Sequence, residues 1–395
     1  MHINIPFDEP LYETVTEISV SPKFKELVSK PDTLDDYEIK DCLEYWSRAT
    51  KKMILVGVNQ PDAIAQKWLE ELAEDDSVIV FTETTSNLHH KSFFPSIDQI
   101  IAPLSETQQK DLQPDILITF GGLIVSKKIK SLLRKNKPKQ HWHIDVKKAN
   151  DTFFCLTKHI ETTPNLFFET FLPKITHYVK SDYRAKWTAV KESRLKKHNT
   201  YLKEIPFSDF TFFDYVIKSL PNNSVLQVSN SSAIRYTQLF PLNKTIEVFC
   251  NRGTSGIDGS TSTAIGCAVA NKKQTTFITG DLSFLYDSNA LWNNYIPNNF
   301  RIVVINNKGG GIFRILPGHK NTENFDTYFE TNHNLNAEYL CKMYGLTYET
   351  ASNTSELQNV LQSFYKENNQ PKLLEVFTPQ RINDEILLNY FKFIK

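Results

Sequence analysis

Short runs of β-branched and aromatic residues alternate along the chain with stretches long enough to form helices. Most of these runs are apolar at consecutive positions, which is typical of parallel strands buried on both faces. Strands that alternate with helices predict an α/β fold with two doubly wound parallel sheets. The predicted strands are Met53–Val58, Val78–Phe81, Ile116–Phe120, His141–Ile144, Val225–Val228, Ile246–Phe249, Thr275–Thr279, Ile302–Ile305 and Leu373–Phe377.

A charged, helix-prone stretch without strand signals separates the first four predicted strands from the other five. We interpret residues 176–204 as a linker helix between a first α/β domain at 15–175 and a second at 205–395. Residues 2–7 alternate like a strand, and a free terminus rarely begins with a strand unless a sheet receives it. We therefore expect a further domain upstream, with residues 1–14 as its last strand and a linker.

Composition narrows the class of protein. The 395 residues suffice for two domains, and Lys plus Arg equals Asp plus Glu at 45 each, so the formal net charge is zero. A neutral chain carries no electrostatic signature of nucleic-acid binding. Five cysteines without a C-x-x-C pair favour reduced thiols and a cytoplasmic protein. The first twenty residues contain no apolar stretch of the kind found in signal peptides, so we expect no signal peptide. No run of the sequence approaches the ~18 apolar residues of a membrane span.

Candidate metal ligands follow two consecutive predicted strands. Asp281 comes directly after the strand Thr275–Thr279 and Gly280, and Asn307 follows Ile302–Ile305. The carboxyl ends of parallel strands are where open α/β sheets bind ligands. A carboxylate, an amide oxygen and a backbone carbonyl such as that of Gly309 suit Mg²⁺, which takes its other oxygens from phosphate and water. Either piece alone could be an ordinary turn.

A glycine-rich segment follows the strand Ile246–Phe249 and leads into a helix of small residues at 262–270. It reads N-R-G-T-S-G-I-D-G over Asn251–Gly259. Its three glycines permit a tight turn that would admit a cofactor near the helix start. A βα loop without a ligand remains the alternative for this segment taken by itself.

Together these motifs resemble a known enzyme family. Gly280–Asn307 is similar to the metal–diphosphate signature of thiamine-diphosphate (ThDP) enzymes, with Leu282 in the place of its second glycine. Asn251–Gly259 resembles the signature of 2-succinyl-5-enolpyruvyl-6-hydroxy-3-cyclohexene-1-carboxylate (SEPHCHC) synthases. The resemblance continues through Ser229–Ser231 with Arg235, and through the G-G-G-I-F of Gly309–Phe313. The segment His2–Tyr12 is also similar to the family pattern.

The resemblance implies a fold and a reaction. The two α/β domains would be the middle domain and the diphosphate-binding domain of a ThDP enzyme. The family condenses isochorismate with 2-oxoglutarate and releases CO₂ in menaquinone biosynthesis, with ThDP and Mg²⁺ or Mn²⁺ as cofactors. Its members form homodimers or homotetramers, and a pyrimidine-binding domain contributes to each site. We therefore expect this chain to supply part of the active site and to need that domain in cis or in trans.

The resemblance also implies roles for individual residues. The expected metal ligands are Asp281, Asn307 and Gly309. The expected cofactor-binding residues are Gly256, Ile257, Gly280, Asp281, Leu282, Ser283 and Asn307. Ile257, as the wedge beneath the cofactor, and Phe313 are the expected catalytic positions. The expected substrate-binding residues are Ser231, Arg235, Arg252, Lys127, Lys128, Ile312 and Leu316.

Two other functions remain open at this stage. The chain could be a ThDP- and Mg²⁺-binding or assembly module without catalytic activity. It could also be another ThDP decarboxylase or synthase, for example of the acetolactate-synthase type, although Asn251–Gly259 and Ser229–Arg235 argue against that type. Lys127 and Lys128 open a lysine-rich stretch that a solvated helix face would also explain.

Overall fold

The computed structural model describes residues 3–6, 9, 13–21, 23, 34–315, 322 and 324–395. The chain forms two compact units, Met1–Thr33 and Leu34–Lys395, and both sheets lie in the second. Residues 3–6 form neither helix nor strand, so the strand predicted at residues 2–7 is not found in its described part. A strand requires a neighbouring strand for its backbone hydrogen bonds, and none is described within residues 1–33.

Five parallel strands form the first sheet within the described residues. They are β1 Lys52–Val56, β2 Val78–Phe81, β3 Ile116–Phe120, β4 Gln140–Ile144 and β5 Lys158–Ile160. Their order across the sheet is β2-β1-β3-β4-β5. Ile54 and Val56 face one apolar cluster, whereas Met53 and Leu55 face another, as the two-residue repeat of a strand requires.

In the part of the chain that the structure describes, six parallel strands form the second sheet. They are β6 Val225–Val228, β7 Glu247–Cys250, β8 Thr275–Gly280, β9 Phe300–Asn306, β10 Thr347–Ala351 and β11 Lys372–Phe377. Their order is β10-β11-β9-β8-β6-β7. Ile278 and Val303 face one apolar cluster, and Phe277 and Ile302 face the other. This sheet is therefore also buried on both faces.

Helices cover both sheets and connect them. They are α1 Asp36–Arg48, α2 Gln66–Leu72, α3 Ile97–Ile101, α4 Glu106–Leu112, α5 Lys127–Lys135, α6 Pro164–Phe171, α7 Tyr183–Glu204, α8 Asp209–Ser219, α9 Ser232–Thr237, α10 Ser260–Ala270, α11 Asp281–Tyr286, α12 Ile312–Ile315, α13 Glu338–Tyr344, α14 Thr354–Phe364 and α15 Asn383–Phe393. Short 3-10 helices lie at Thr84–Ser86, Leu172–Lys174 and Ser288–Leu291, and a π-helix lies at Phe325–Phe329. None of the described helices is both long and apolar enough to cross a bilayer.

The predicted fold class, two doubly wound parallel sheets, is confirmed. Each of the nine predicted strands overlaps an observed strand, and the two that were not predicted, β5 and β10, lie at sheet edges. Helix α7 occupies most of the stretch interpreted as a linker helix. The domain boundaries at residues 14, 175 and 204 remain predictions.

The strand order of the second sheet fixes where a ligand can enter. The chain runs from β6 outward to β7, then returns past β6 to β8 and continues in the opposite direction to β9. The connections that follow β6 and β8 therefore diverge to opposite sides. In open α/β sheets this switch point leaves a crevice at the carboxyl ends of the two strands, where ligands bind.

Candidate active site

A cavity lies at this switch point. The loops that follow β6, β8 and β9 contribute to its walls, together with the start of α8 and the glycine-rich segment before α10. Ten of the residues expected from the sequence line it: Ser231, Ile257, Gly280, Asp281, Leu282, Ser283, Asn307, Gly309, Ile312 and Phe313. Segments that are up to 104 positions apart in the sequence, from Asp209 to Phe313, thus meet at one edge of the sheet.

Asp281 is buried at the end of β8, where helix α11 begins. Its Oδ1 accepts a hydrogen bond from the backbone N–H of Leu282 over 2.7 Å, and its Oδ2 accepts one from the N–H of Gly309 over 3.0 Å. The register of β8 with β9 sets Gly280 opposite Ile305, which brings the two strand ends side by side. The carboxylate is therefore held from both strands, with further lone pairs open to the cavity.

Asn307 is oriented by a carboxylate that the sequence did not reveal. Its Nδ2 donates to Oδ2 of Asp209 over 3.0 Å, and Thr378 Oγ1 donates to the other oxygen over 2.6 Å. Burial raises the pKa of Asp209 to about 6, the hydrogen bonds from Thr378 and Asn307 oppose that rise, and the charge of Asp281 adds to it. Because the amide nitrogen of Asn307 is committed to Asp209, its oxygen is available as a ligand.

Gly309 occupies a position where a side chain does not fit. Its φ is +150°, and a Cβ there would lie 2.6 Å from the carbonyl oxygen of Glu330. That same carbonyl accepts the N–H of Gly310 over 2.6 Å. The glycine run Gly309–Gly311 thereby lets the backbone fold closely over Asp281, as expected of glycines that surround a ligand.

The segment that carries Ile257 is fixed from two sides. Ser283 Oγ donates to the carbonyl oxygen of Ile257 over 2.6 Å, which ties the segment to α11. On the other side, Nδ2 of Asn230 donates to the carbonyl of Gly256 over 3.1 Å and to that of Ser255. Ile257 is thus directed into the cavity, whereas Gly256 serves as a backbone anchor and lines a neighbouring surface depression.

Two arginines lie beside the cavity without lining it. Nη1 of Arg235 donates to the carbonyl of Ser231 over 2.5 Å, and Arg252 donates to the side-chain oxygen of Asn230. The two guanidinium groups thus bind adjacent residues, and burial lowers the pKa of Arg235, with the positive charge of Arg252 lowering it further. A pair of like charges held close together is a good counterpart for a dianionic ligand.

Apolar side chains close one end of the cavity. Ile312 and Phe313 lie at the start of α12, and the Phe313 ring packs edge-on against Phe329 with centroids 5.8 Å apart. Leu316, expected beside them, lies outside the described residues. The two described members provide an apolar wall next to the polar strand ends.

Comparison with known proteins identifies the family. Residues 230–376 match the model of the thiamine pyrophosphate enzyme C-terminal TPP-binding domain. The SEPHCHC synthase of Flavobacterium psychrophilum is 55% identical over 392 residues, which cover 99% of this chain and 70% of the relative. The chain belongs to the SEPHCHC synthase family.

Other members of the family support the same assignment. The SEPHCHC synthase of Flavobacterium johnsoniae is 54% identical across 99% of this chain and 71% of its own length. The synthase of Porphyromonas gingivalis is 34% identical across the whole chain and 70% of its own length. Membership in this family makes the chain a ThDP-dependent enzyme that uses a divalent metal ion.

The residues at the strand ends fit the cofactors of a SEPHCHC synthase. Asp281 offers a carboxylate, Asn307 an amide oxygen and Gly309 a backbone carbonyl, which are three hard oxygen ligands. Mg²⁺ prefers about six oxygens and keeps several of them as phosphate or water. A set with one charged ligand therefore suits a metal ion that also binds a diphosphate, and the glycine run leaves backbone room for such a group.

The basic pair expected from the middle domain does not line the cavity. Lys127 and Lys128 begin helix α5, and Lys127 is exposed. Nζ of Lys128 lies 3.3 Å from Asp98 and 4.4 Å from the centroid of the Phe391 ring. Their role toward substrate remains a prediction.

Three polar residues of the site were not anticipated as such from the sequence. Asp209 orients Asn307, Asn230 connects Arg252 to the Ile257 segment, and His333 lies 3.3 Å from Asp281. Asn230 lies within Ser229–Ser231, a segment that resembles the family, so the sequence could have indicated that Asn230 belongs to the site. Asp209 and His333 are far from the motifs, and only the folded chain brings them to the site.

Proposed function

We propose that this chain carries the diphosphate-binding half of the SEPHCHC synthase site and catalyses, with ThDP and Mg²⁺ or Mn²⁺, the condensation of 2-oxoglutarate with isochorismate. The products are SEPHCHC and CO₂, in menaquinone biosynthesis. The observation that carries the proposal is the convergence of Asp281, Asn307, Gly309 and Ile257 on one cavity at the switch point. ThDP, when bound, supplies the nucleophilic carbon and the electron sink that decarboxylation of a 2-oxo acid requires.

The cofactor would be held mainly by the two strand ends. Asp281, Asn307 and the carbonyl of Gly309 would bind the metal ion, and Gly280, Leu282 and Ser283 would line the diphosphate. Backbone N–H groups at the start of α11 would add partial positive charge beside that group. Ile257 would support the cofactor from below, in line with the two contacts that fix its segment. Gly256 would contribute through its backbone.

Substrate carboxylates would be bound by Ser231, Arg235 and Arg252, and the apolar wall would shield the substrates from water. Both substrates are dicarboxylates, and a guanidinium group pairs with a carboxylate through two parallel hydrogen bonds. Arg235 and Arg252 support this role, since they bind the adjacent residues Ser231 and Asn230 and are partly buried. The wall of Ile312 and Phe313 would exclude water, and the resemblance assigns the same role to Leu316, which lies outside the described residues. Lys127 and Lys128 would approach isochorismate from the middle domain.

A pyrimidine-binding domain, in cis or in trans, would complete the site. The carboxylates among the described residues that line the cavity are Asp209 and Asp281. Both accept hydrogen bonds from the segment with the expected metal ligands, Asp209 from Asn307 and Asp281 from Gly309. Proton transfer at the far end of the cofactor requires an acid or base within hydrogen-bond reach, worth about 10²–10⁴ in rate. The relatives, of whose length this chain covers about 70%, provide sequence for such a domain.

The proposal includes a homodimer or homotetramer in the cytoplasm. Trp292 and Tyr295 are 75% and 67% exposed and line a groove with Gly266 and Val269 of α10. Large exposed aromatic side chains beside small residues favour a protein interface. The free thiols of all five cysteines agree with a reducing compartment. Sedimentation of wild type and Trp292→Glu tests the assembly, because the charge should shift the distribution toward the monomer.

Measurements of metal binding test the proposed role of Asp281 directly. Asp281→Ala removes the charged ligand, so the Mg²⁺-dependent affinity for ThDP should fall about tenfold or more in calorimetric titrations. Asp326→Ala, which removes an exposed carboxylate outside the cavity, is the matched control and should bind as wild type does. Unchanged Mg²⁺-dependent binding by Asp281→Ala would remove Asp281 from the metal site and the proposal with it.

A further inference from the structure

The loop after the π-helix Phe325–Phe329 lies against the glycine run and carries His333 to the site. The backbone N–H of His333 donates to the carbonyl of Lys308 over 3.4 Å, and that of Gly310 donates to the carbonyl of Glu330 over 2.6 Å. The two hydrogen bonds join the loop to the segment that follows β9. His333 is consequently held by the same segment that contains Asn307 and Gly309.

The protonation pattern of the His333 ring follows from its neighbour. The backbone N–H of Leu335 donates to Nδ1 of His333 over 3.1 Å. An imidazole nitrogen that accepts a hydrogen bond carries no proton, so the proton of the neutral ring resides on Nε2. Nε2 lies 3.3 Å from Oδ2 of Asp281, and the side chain is only 10% exposed. The structure thus directs a buried N–H donor at the carboxylate.

The Nε2–H donor of His333 has no well-aligned acceptor. The 3.3 Å contact with Asp281 is not aligned as a hydrogen bond, and Nε2 has no other hydrogen-bond partner within the described part of the chain. A buried donor without an aligned partner is costly, and such groups commonly mark a functional position. A small rotation of the Asp281 carboxylate would satisfy the ring, which gives the contact a role in setting the carboxylate's orientation.

The lone pairs of Asp281 show what that orientation would achieve. Each carboxylate oxygen can accept about two hydrogen bonds. Oδ1 accepts the N–H of Leu282, and Oδ2 accepts the N–H of Gly309. A hydrogen bond from His333 would fill Oδ2 and leave the remaining lone pair on Oδ1. His333 would therefore select which oxygen of Asp281 faces a metal ion.

We propose that His333 is a positioning residue that presents Oδ1 of Asp281 to the divalent metal ion. The proposal rests on the metal-binding role proposed above for Asp281. Carboxylates that bind metals are themselves held by hydrogen bonds, and loss of such a partner typically costs about ten- to a hundredfold in metal affinity. The same loss would leave ThDP recognition by the other residues of the cavity in place.

Two substitutions separate the two hydrogen bonds of the ring. His333→Gln places an amide nitrogen near the position of Nε2 but does not retain the acceptor for Leu335. His333→Asn retains an acceptor near the position of Nδ1 but is too short to reach Asp281. If His333 acts through Asp281, the Gln variant should keep the Mg²⁺ affinity within about threefold, and the Asn variant should lose about ten- to a hundredfold.

The experiment is a calorimetric titration of Mg²⁺ into the full chain with saturating ThDP, together with thermal unfolding without cofactors. Weak Mg²⁺ binding by His333→Asn, with near wild-type binding by His333→Gln and similar unfolding temperatures, would support the proposal. Equal Mg²⁺ affinities in wild type and both variants would overturn it. A loss of equal size in both variants would also overturn it, because the loop and not the donor would then matter.

Asp281→Asn in the same titration distinguishes this inference from the function on which it rests. If Asp281→Asn weakens Mg²⁺ binding while His333→Asn does not, the positioning role is wrong and the metal role of Asp281 remains. If Asp281→Asn binds Mg²⁺ as wild type does, the metal role itself fails, and the positioning role fails with it.

Discussion

Asn307 donates from its side-chain nitrogen to Oδ2 of Asp209 over 3.0 Å, and this contact decides which end of the amide faces the cavity. Asp209 is the first residue of α8 and is buried, with its second oxygen bound by Thr378. The carboxylate accepts hydrogen bonds only, so the amide nitrogen must face it and the amide oxygen must face away. Asp209, which is remote from the motifs, thereby orients Asn307, an expected metal ligand.

Loss of this orientation should weaken metal binding. Asp209→Ala frees the amide of Asn307 to turn, and we expect the Mg²⁺-dependent affinity for ThDP to fall about tenfold. Asp209→Asn can still accept from Asn307 and should lose at most about threefold. Calorimetric titration of both variants measures the difference. Equal affinities in Asp209→Ala and wild type would show that Asn307 does not need its partner.

Arginine substitutions test the substrate side of the cavity. Arg235→Ala and Arg252→Ala should each lower kcat/KM for 2-oxoglutarate by about ten- to a hundredfold, since a charged hydrogen bond contributes about 1.5–3 kcal/mol. Affinity for ThDP should stay close to wild type. The matched variants Arg235→Lys and Arg252→Lys keep the charge without the planar fork and should show intermediate losses. Normal 2-oxoglutarate kinetics in both Ala variants would contradict the assignment.

Lys308 tests backbone strain beside the metal ligands. Its φ is +65°, a left-handed conformation that costs about 1–2 kcal/mol in residues other than glycine and asparagine. Lys308→Asn should raise the free energy of unfolding by about 1 kcal/mol in urea titrations of the cofactor-free chain. Lys308→Ala removes the same charge but retains the strain, so it should not stabilise. A gain of equal size in both variants would point to charge instead.

Glu83 should make stability depend on pH. Its carboxylate accepts the N–H groups of Val125 and Ser126 over 2.7 and 2.8 Å, and burial raises its pKa from 4.5 to about 7. The folded state therefore binds this proton more tightly than the unfolded state. The resulting stability is present below pH 4.5 and is lost as the pH rises through 7.

Glu83→Gln removes this titration and provides the measurement. Between pH 5 and pH 8, wild type should lose about 2–3 kcal/mol of unfolding free energy relative to Glu83→Gln, because one pKa unit corresponds to about 1.4 kcal/mol. Urea unfolding of both proteins across that range gives the difference directly, since other groups titrate alike in both. A difference that stays constant with pH would show that Glu83 keeps an ordinary pKa.

The central strands could be predicted from the sequence because they are apolar on both faces. Strands β5 and β10 lie at sheet edges and were not predicted because they are short or polar, as edge strands can be, whereas the edge strands β2 and β7 carry apolar residues and were predicted. β5 has three residues, K-H-I, and β10 reads T-Y-E-T-A with a single buried position. Neither carries the run of apolar residues that marks a central strand.

The candidate site was predictable where its residues follow strands. Asp281 and Asn307 come directly after β8 and β9, so topology alone brings them together. Asp209 opens a helix, where an acidic residue is common for reasons of capping and helix dipole, and nothing local distinguishes it. His333 lies in a polar loop whose path depends on tertiary contacts. Such residues become visible only once the chain is folded.

CO₂ release from 2-oxoglutarate, measured with and without isochorismate, tests the central claim most directly. The assay would combine this chain with the family's pyrimidine-binding domain, fused before His2 or added as a separate chain, in the presence of ThDP and Mg²⁺. We predict rapid CO₂ release that requires isochorismate. Pyruvate should not replace 2-oxoglutarate, and the substitution Asp281→Ala should abolish CO₂ release. Turnover that is indifferent to isochorismate, that accepts pyruvate equally, or that survives Asp281→Ala would contradict the account.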